Sequence, residues 1–226
     1  MTVIIPFRDR GRDPLRQANL QRVLQHWAGW DVHVVSDGRT GDEQFNRHKA
    51  YNLGATLTDS DVLVYAESDM LVNHDRITEA IKLARQSPGL VVPFTERHEL
   101  NTYDSERVRA HEVQPEQCVA DVVKPKPRRI GAINVISRET LHLVGQWDEQ
   151  FDGNWWDDRS MHIAFDMCAG PTRWIDGPSY HLWHLPGHTG THLTPEDRAA
   201  TTRNRRRFER YSRARTPDQI RALTTG

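Results

Sequence analysis

The chain reads as an α/β protein: a mixed, mostly parallel central sheet flanked by helices, with a C-terminal helical extension. Two observations predict this. Over residues 1–94, short apolar runs alternate with segments of helical period in the order β-α-β-α-β-α-β, the pattern of a sheet covered by helices. Within that series the run Val62–Ala66 is continuously apolar, as in a strand buried on both faces, and stops at Glu67-Ser68-Asp69.

Thr2–Pro6 is the first strand, ended by its proline. Residues 7–13 form a charged loop with three arginines, and Asp13-Pro14 reads as N-cap and first turn of a helix carrying Leu15, Leu20, Val23, Leu24 and Trp27 at helical spacing. Residues 31–36 form a second strand turned by Asp37-Gly38. A helix over about 44–57 follows, with Phe45, Tyr51, Leu53 and Leu57 as expected buried positions. After the acidic strand come a helix over 75–86 and a strand over 90–94. The periodicity then fades, and 95–129 is expected to be a mobile connection ending in Lys124-Pro125-Lys126-Pro127-Arg128-Arg129. Order returns in a strand over 130–136 and a short helix capped by Ser137. A helix over 158–168, a strand over 172–175 and a basic helix over 196–215 complete the chain. The expected division is a catalytic domain over 1–193 (a nucleotide-binding half over 1–94, the connection over 95–129, an acceptor and metal half over 130–193), then the extension over 194–226.

Composition narrows the function classes. The 226 residues carry a formal charge of -1, which gives the whole molecule no electrostatic case for nucleic acid. Two distant cysteines, Cys118 and Cys168, supply neither a disulfide framework nor a Cys-rich metal site. With no apolar run of membrane-spanning length and no signal-peptide pattern, a cytoplasmic protein is expected. Four of seven tryptophans (Trp155, Trp156, Trp174 and Trp183) fall in one region, suiting either a stacking surface or a dense local core.

Three clusters could carry chemistry. Glu67 and Asp69 share a parity at a strand's carboxyl end, where open α/β sheets bind ligands. Two acids there repel unless a cation lies between them, and a hard divalent ion holding a phosphate suits the place; a solvated turn is the alternative. Asp157 and Asp158 begin a helix behind Trp155-Trp156, where simple dipole capping is the alternative. His181-x-x-His184, with His188 and His192 nearby, has a spacing that can ligate a metal or be incidental. No G-x-G-x-x-G or G-x-x-x-x-G-K-[ST] occurs, so a nucleotide needs another grip.

Together these segments resemble the β-1,4-galactosyltransferase-like glycosyltransferases, of GT-A fold. Ile4-Ile5-Pro6-Phe7-Arg8-Asp9-Arg10 is similar to that family's I-I-P-F-R-N-R, with Asp for Asn. The segment from Phe45-Asn46-Arg47 through Asn52-Leu53-Gly54 is similar to its F-N-R-x-K-x-x-N-x-G helix. Glu67-Ser68-Asp69 stands where the family has D-V-D. Residues 131–158 follow its G-x-x-x-x-S segment and closing W-G-x-E-D, with Trp155-Trp156 in place of Gly-Gly and Asp157 in place of Glu. His184 stands at the family's last metal ligand. These motifs run in order over about four-fifths of the chain.

The resemblance implies a metal-dependent inverting glycosyltransferase moving a sugar from a nucleotide-sugar, UDP-linked, to a hydroxyl of a glycan or protein acceptor. It implies Mn²⁺ or Mg²⁺ on Asp69, His184 and His181, with histidine favouring Mn²⁺. Pro6, Phe7, Arg8, Arg10, Asp37, Phe45, Arg47, Glu67, Ser68 and Asp69 are implied at the donor: Arg8 and Arg10 on phosphates, Phe45 and Arg47 on the base, Ser68 on the ribose. Asp158 is implied as the base, Asp157 as its partner on the acceptor hydroxyl, and Trp155 and Trp156 as stacking faces for the acceptor. The alternatives are a nucleotidyltransferase-like protein, which would want a Gly-rich phosphate loop, and a non-catalytic nucleotide- or sugar-binding module.

Overall fold

A computed structural model describes residues 1–125, 130–187 and 189–226. Ten strands and eight helices occur among them. β1 (Thr2–Pro6), β2 (Val32–Val35), β3 (Val62–Ala66), β5 (Val91–Val92), β8 (Ile133–Ser137) and β9 (Arg173–Trp174) form one sheet in the order β2-β1-β3-β8-β5-β9. β1 pairs in parallel with β2 and β3, and β5 with β9, whereas β8 runs antiparallel to β3 and β5. The sheet is therefore mixed and mostly parallel. β1, β3 and β8 are buried along their whole length, which is why their sequences are runs rather than alternations.

The helices are α1 (Pro14–His26), α2 (Arg47–Thr56), α3 (His74–Gln86), α4 (Thr102–Arg109), α5 (Arg138–Val144), α6 (Asp157–Ala169), α7 (Pro195–Arg213) and α8 (Pro217–Thr224). Asp13 caps α1 and Ser137 caps α5, as their sequences predict. α2 begins later than its periodicity suggested, because Asn46 is its cap and accepts from Lys49 N at 2.8 Å. Its inner face is Ala50, Tyr51, Gly54 and Ala55, so Leu53 and Leu57, expected to be buried, are exposed. Gly54 sets that face: a Cβ there would stand 2.4 Å from Ile4 Cγ2, so only glycine lets α2 close on β1.

Residues 95–125, expected as a mobile connection, are folded. They contribute β6 (Glu96–Glu99), α4 and β7 (Val122–Pro125) to a second sheet that also contains β4 (Met70–Val72) and β10 (Pro178–His181), in the order β4-β10-β6-β7. These strands are short and polar and pair at long range, which hides them from periodicity. The basic run at 126–129, and His188, lie outside the described residues. The basic tail packs on the domain as α7 and α8. Tyr211 Oη donates to Asp148 Oδ2 at 2.7 Å, Arg207 pairs with the same carboxylate, and Thr224 Oγ1 donates to Val144 O at 2.7 Å. No helix among the described residues is long and apolar enough to cross a membrane.

Candidate active site

Sheet register assembles one corner of the site. β4 leaves Asp69 directly and pairs antiparallel with β10, so Met70 lies opposite His181, and Leu182 N donates to Asp69 O at 2.9 Å. β6 runs parallel to β10 with Glu99 beside His181. Asp13 and Asn19 of the α1 region hold the following turn: Leu185 N donates to Asp13 Oδ2 at 2.7 Å, and Asn19 Nδ2 to Trp183 O at 3.2 Å.

Asp69, His181 and His184 thereby converge, with one ligand atom from each lying within 4.8 Å of the others. His184 Nε2 is 3.1 Å from Asp69 Oδ2, His181 Nε2 is 3.7 Å from Asp69 Oδ1, and the two Nε2 atoms are 3.2 Å apart. The outer nitrogens are engaged: His181 Nδ1–H donates to Glu99 Oε2 at 2.6 Å and His184 Nδ1–H to Leu185 O at 2.8 Å. This turns both Nε2 lone pairs toward Asp69, the arrangement of histidines that bind metal. Asp69 Oδ1 is buried without a hydrogen-bond partner. Burial opposes ionisation of Asp69, but His181, His184 and Arg16 outweigh it and hold the carboxyl well below the usual range. Burial likewise disfavours the His184 imidazolium, and Asp69 overrides it and raises that pKa. A buried, unpartnered carboxylate oxygen facing two aligned imidazoles fits a divalent cation.

The second corner is acidic. β8 starts beside the end of β3, with Glu67 N donating to Ala132 O at 2.8 Å, so 130–132 share the rim with Glu67. α6 brings Asp157 and Asp158 to the same place. Arg47, first residue of α2, sits among them: Nη1 donates to Glu67, and Nη2 to Asp157 and, at 2.8 Å, to Asp158 Oδ1. The two acids are not equivalent. Asp157 is 3% exposed; burial opposes its ionisation, and Arg47 and His48 outweigh that and lower its pKa. Asp158 keeps 29% of its side chain open to the cleft. Burial pushes its carboxyl up to about 8; Arg47 opposes the rise, while Asp157 and Glu67 add to it. A Cβ on Gly131 would lie 2.6 Å from Asp158 Oδ2, so glycine leaves that carboxylate its place.

Between the corners lies a cleft of about 610 Å³, in the range of small-ligand sites. It gathers Pro6, Phe45, Arg47, Glu67, Ser68, Asp69, Trp155, Trp156, Asp157, Asp158, His181 and His184 on one surface. The structure leaves Phe7, Arg8, Arg10 and Asp37 off that lining. Arg8 is spent on Asp37 (2.9 Å), Gly41 O (2.6 Å) and Glu43 O (2.7 Å), which tie down the loop after β2. Arg10 lines a smaller adjoining pocket with Arg8 and donates to Asp42 O at 2.8 Å. Asp37 is wholly buried and accepts from Asn46 N at 2.8 Å. Arg47, expected against a base, points at carboxylates instead.

The sequence reading missed Glu99, which orients His181, and Arg16, whose Nη1 lies 4.0 Å from Asp69 Oδ2. Glu99 had no local signal, being placed by strand register. Arg16 stands in the first turn of α1 among other charges. Backbone strain also concentrates here. Among the described residues, three of the four non-glycine residues with positive φ are Ala132 (67°), Trp155 (77°) and Trp156 (75°), all at the cleft.

No protein-family model matches the chain, and no curated protein does. Solved structures do. A variant of Drosophila β1,4-galactosyltransferase 7, in complex with manganese, UDP-Gal and xylobiose, aligns with a TM-score of 0.50 at 17% identity, over 77% of this chain and 63% of that one. The chain thus spans less than two thirds of that structure. The catalytic domain of the same Drosophila enzyme with xylobiose gives 0.51 at 14% identity, over 96% and 82%. Glucosyl-3-phosphoglycerate synthase from Mycobacterium tuberculosis, with Mn²⁺, UDP-glucose and phosphoglyceric acid, gives 0.50 at 13%, over 92% and 77%. These neighbours are GT-A glycosyltransferases, and the chain has the GT-A fold.

Proposed function

We propose that the protein is a metal-dependent inverting glycosyltransferase that moves a sugar from a UDP-sugar to an acceptor hydroxyl. The observation that carries this reading is the convergence of Asp69, His181 and His184 in a cleft that also presents Asp158. Two of the neighbours that share the fold were solved with a UDP-sugar and manganese, which supports the same donor chemistry here.

Asp69, His181 and His184 hold the cation, and two nitrogens among three ligands favour Mn²⁺ over Mg²⁺. When bound, that ion stabilises negative charge on a departing diphosphate. Arg16, beside the triad, can pair with phosphate oxygens. Asp158, open to the cleft and raised in pKa, takes the acceptor's proton as its oxygen attacks the anomeric carbon; Asp157, fixed by Arg47, holds the geometry of that pair. One displacement inverts the centre, and no second nucleophile is required. Arg8 and Asp37 act by fixing the loop that borders the donor end, and Trp155 and Trp156 wall the acceptor end.

The test has two readouts. Titration calorimetry should detect Mn²⁺-dependent UDP binding that Asp69→Asn abolishes. A screen of UDP-sugars should show release of UDP that depends on Mn²⁺, with NMR of the product reporting the inverted anomer. UDP binding that is indifferent to metal and to Asp69→Asn would sink the assignment.

A further inference from the structure

The arginines and the lysine lining the cleft each lie by a carboxylate, with one exception. Arg47 is surrounded by Glu67, Asp157 and Asp158, Arg97 and Lys124 pair with Glu99, and Arg16 lies by Asp69. Arg159 is exposed and has no carboxylate partner among the described residues. It stands in the first turn of α6, where the helix dipole disfavours a cation. Its guanidinium is held instead 5.3 Å from the centre of the Trp156 ring. Arg205 of α7 approaches the same ring at 6.0 Å, is also exposed, and has no acid partner either.

Trp156 therefore has two like charges close to its ring. Its ring is fixed from α7 by Phe208, centroids 5.0 Å apart, and its backbone is held at φ 75°. Two guanidiniums drawn to one ring, neither with a carboxylate partner among the described residues, leave their like charges unneutralised within the chain. An anion bound beside Trp156 would neutralise them through charge-assisted and bidentate bonds.

We infer that Arg159 and Arg205, gathered on Trp156, form an anion subsite at the acceptor end of the cleft, so that the acceptor carries a phosphate or carboxylate near its reacting hydroxyl. This rests on the proposed transferase reading for the word acceptor, but not for the anion site itself.

The experiment uses charge-matched probe pairs: glucose 6-phosphate against glucose, and glucuronate against glucose. Each is titrated into the full-length protein, with and without Mn²⁺ and UDP. The expected result is at least tenfold tighter binding of a charged member than of glucose, weakening as salt rises from 50 to about 200 mM, and a gap lost in the Arg159→Gln/Arg205→Gln double variant. Both sites are exposed, and thermal melting checks that the variant folds. The phosphate and carboxylate arms say which anion the subsite prefers. Equal binding of charged and neutral members, including no binding of either, overturns the inference, as does a double variant that keeps the gap. The nucleotide-free arm separates the two readings. Loss of UDP binding with the charge gap retained defeats the transferase and leaves the subsite standing; UDP binding without the gap does the reverse.

Discussion

Replacing Asp158 by Asn separates a catalytic carboxylate from a structural one. The amide has the same shape, and Arg47 keeps Glu67 and Asp157, so the network at the helix start survives. Asp158 is not the cap of α6, whose first residue is Asp157, so loss of a cap cannot confuse the outcome. Removal of a general base costs roughly 10²–10⁴-fold in kcat, equivalent to about 2.7–5.5 kcal/mol of barrier. The pH profile supplies an independent check. A base must be deprotonated, and the Asp158 carboxyl is pushed up to about 8. Below that pH the active fraction falls about tenfold per unit, so kcat/KM should climb with unit slope toward pH 8 and then level. The assay is UDP release with saturating donor and Mn²⁺ from pH 5.5 to 9.5, with UDP affinity measured on the same samples. A variant within tenfold of the parent, together with a flat profile over pH 6–9, would refute the base assignment.

Two further outcomes follow from the packing. Glu99→Gln keeps the size of the group that orients His181 but removes its charge, so Mn²⁺ affinity, read by titration without nucleotide, should fall roughly 10–100-fold; an unchanged affinity would place Glu99 outside the metal's support. Tyr211→Phe deletes a buried donation to Asp148, leaving Arg207 on that carboxylate; a bond to a charged group is worth about 1.5–3 kcal/mol, so calorimetry should show a melting point lower by about 3–12 °C, and no shift would mean α7 is not anchored there.

Much of the sheet was legible because burial on both faces writes itself as continuous apolar runs. Val62–Ala66 ends in the structure where its sequence ends, and the caps Asp13 and Ser137 fall where their side chains can reach a backbone N–H. What periodicity could not give was the second sheet. β6 reads Glu-Arg-His-Glu and β10 reads Pro-Ser-Tyr-His, neither with a hydrophobic pattern, yet their register places Glu99 on His181. Leu53 and Leu57 misled for a related reason: α2 needs close approach to β1, so its inner face is alanine and glycine. The acid pair of α6 was visible, but the inequality of Asp157 and Asp158 arises from Arg47, 110 and 111 residues away in sequence.

The basic C-terminal helix has the same lesson in its charges. In the sequence it reads only as a basic helix over 196–215. In the structure Arg207 is consumed by Asp148, and Asn204 turns inward to donate to Asp152 O at 2.8 Å and toward Trp155 O at 3.1 Å and Asn154 O at 3.3 Å. One amide thus gathers the carbonyls of the loop that carries both left-handed tryptophans, and Phe208 packs on the second of them. Non-glycine residues in that conformation each cost about 1–3 kcal/mol and persist only where their surroundings over-determine them. α7 supplies that determination. The helix is therefore part of the wall of the cleft, and the two bulky rings that stand where the resembling family has glycines stay in place because α7 holds them there.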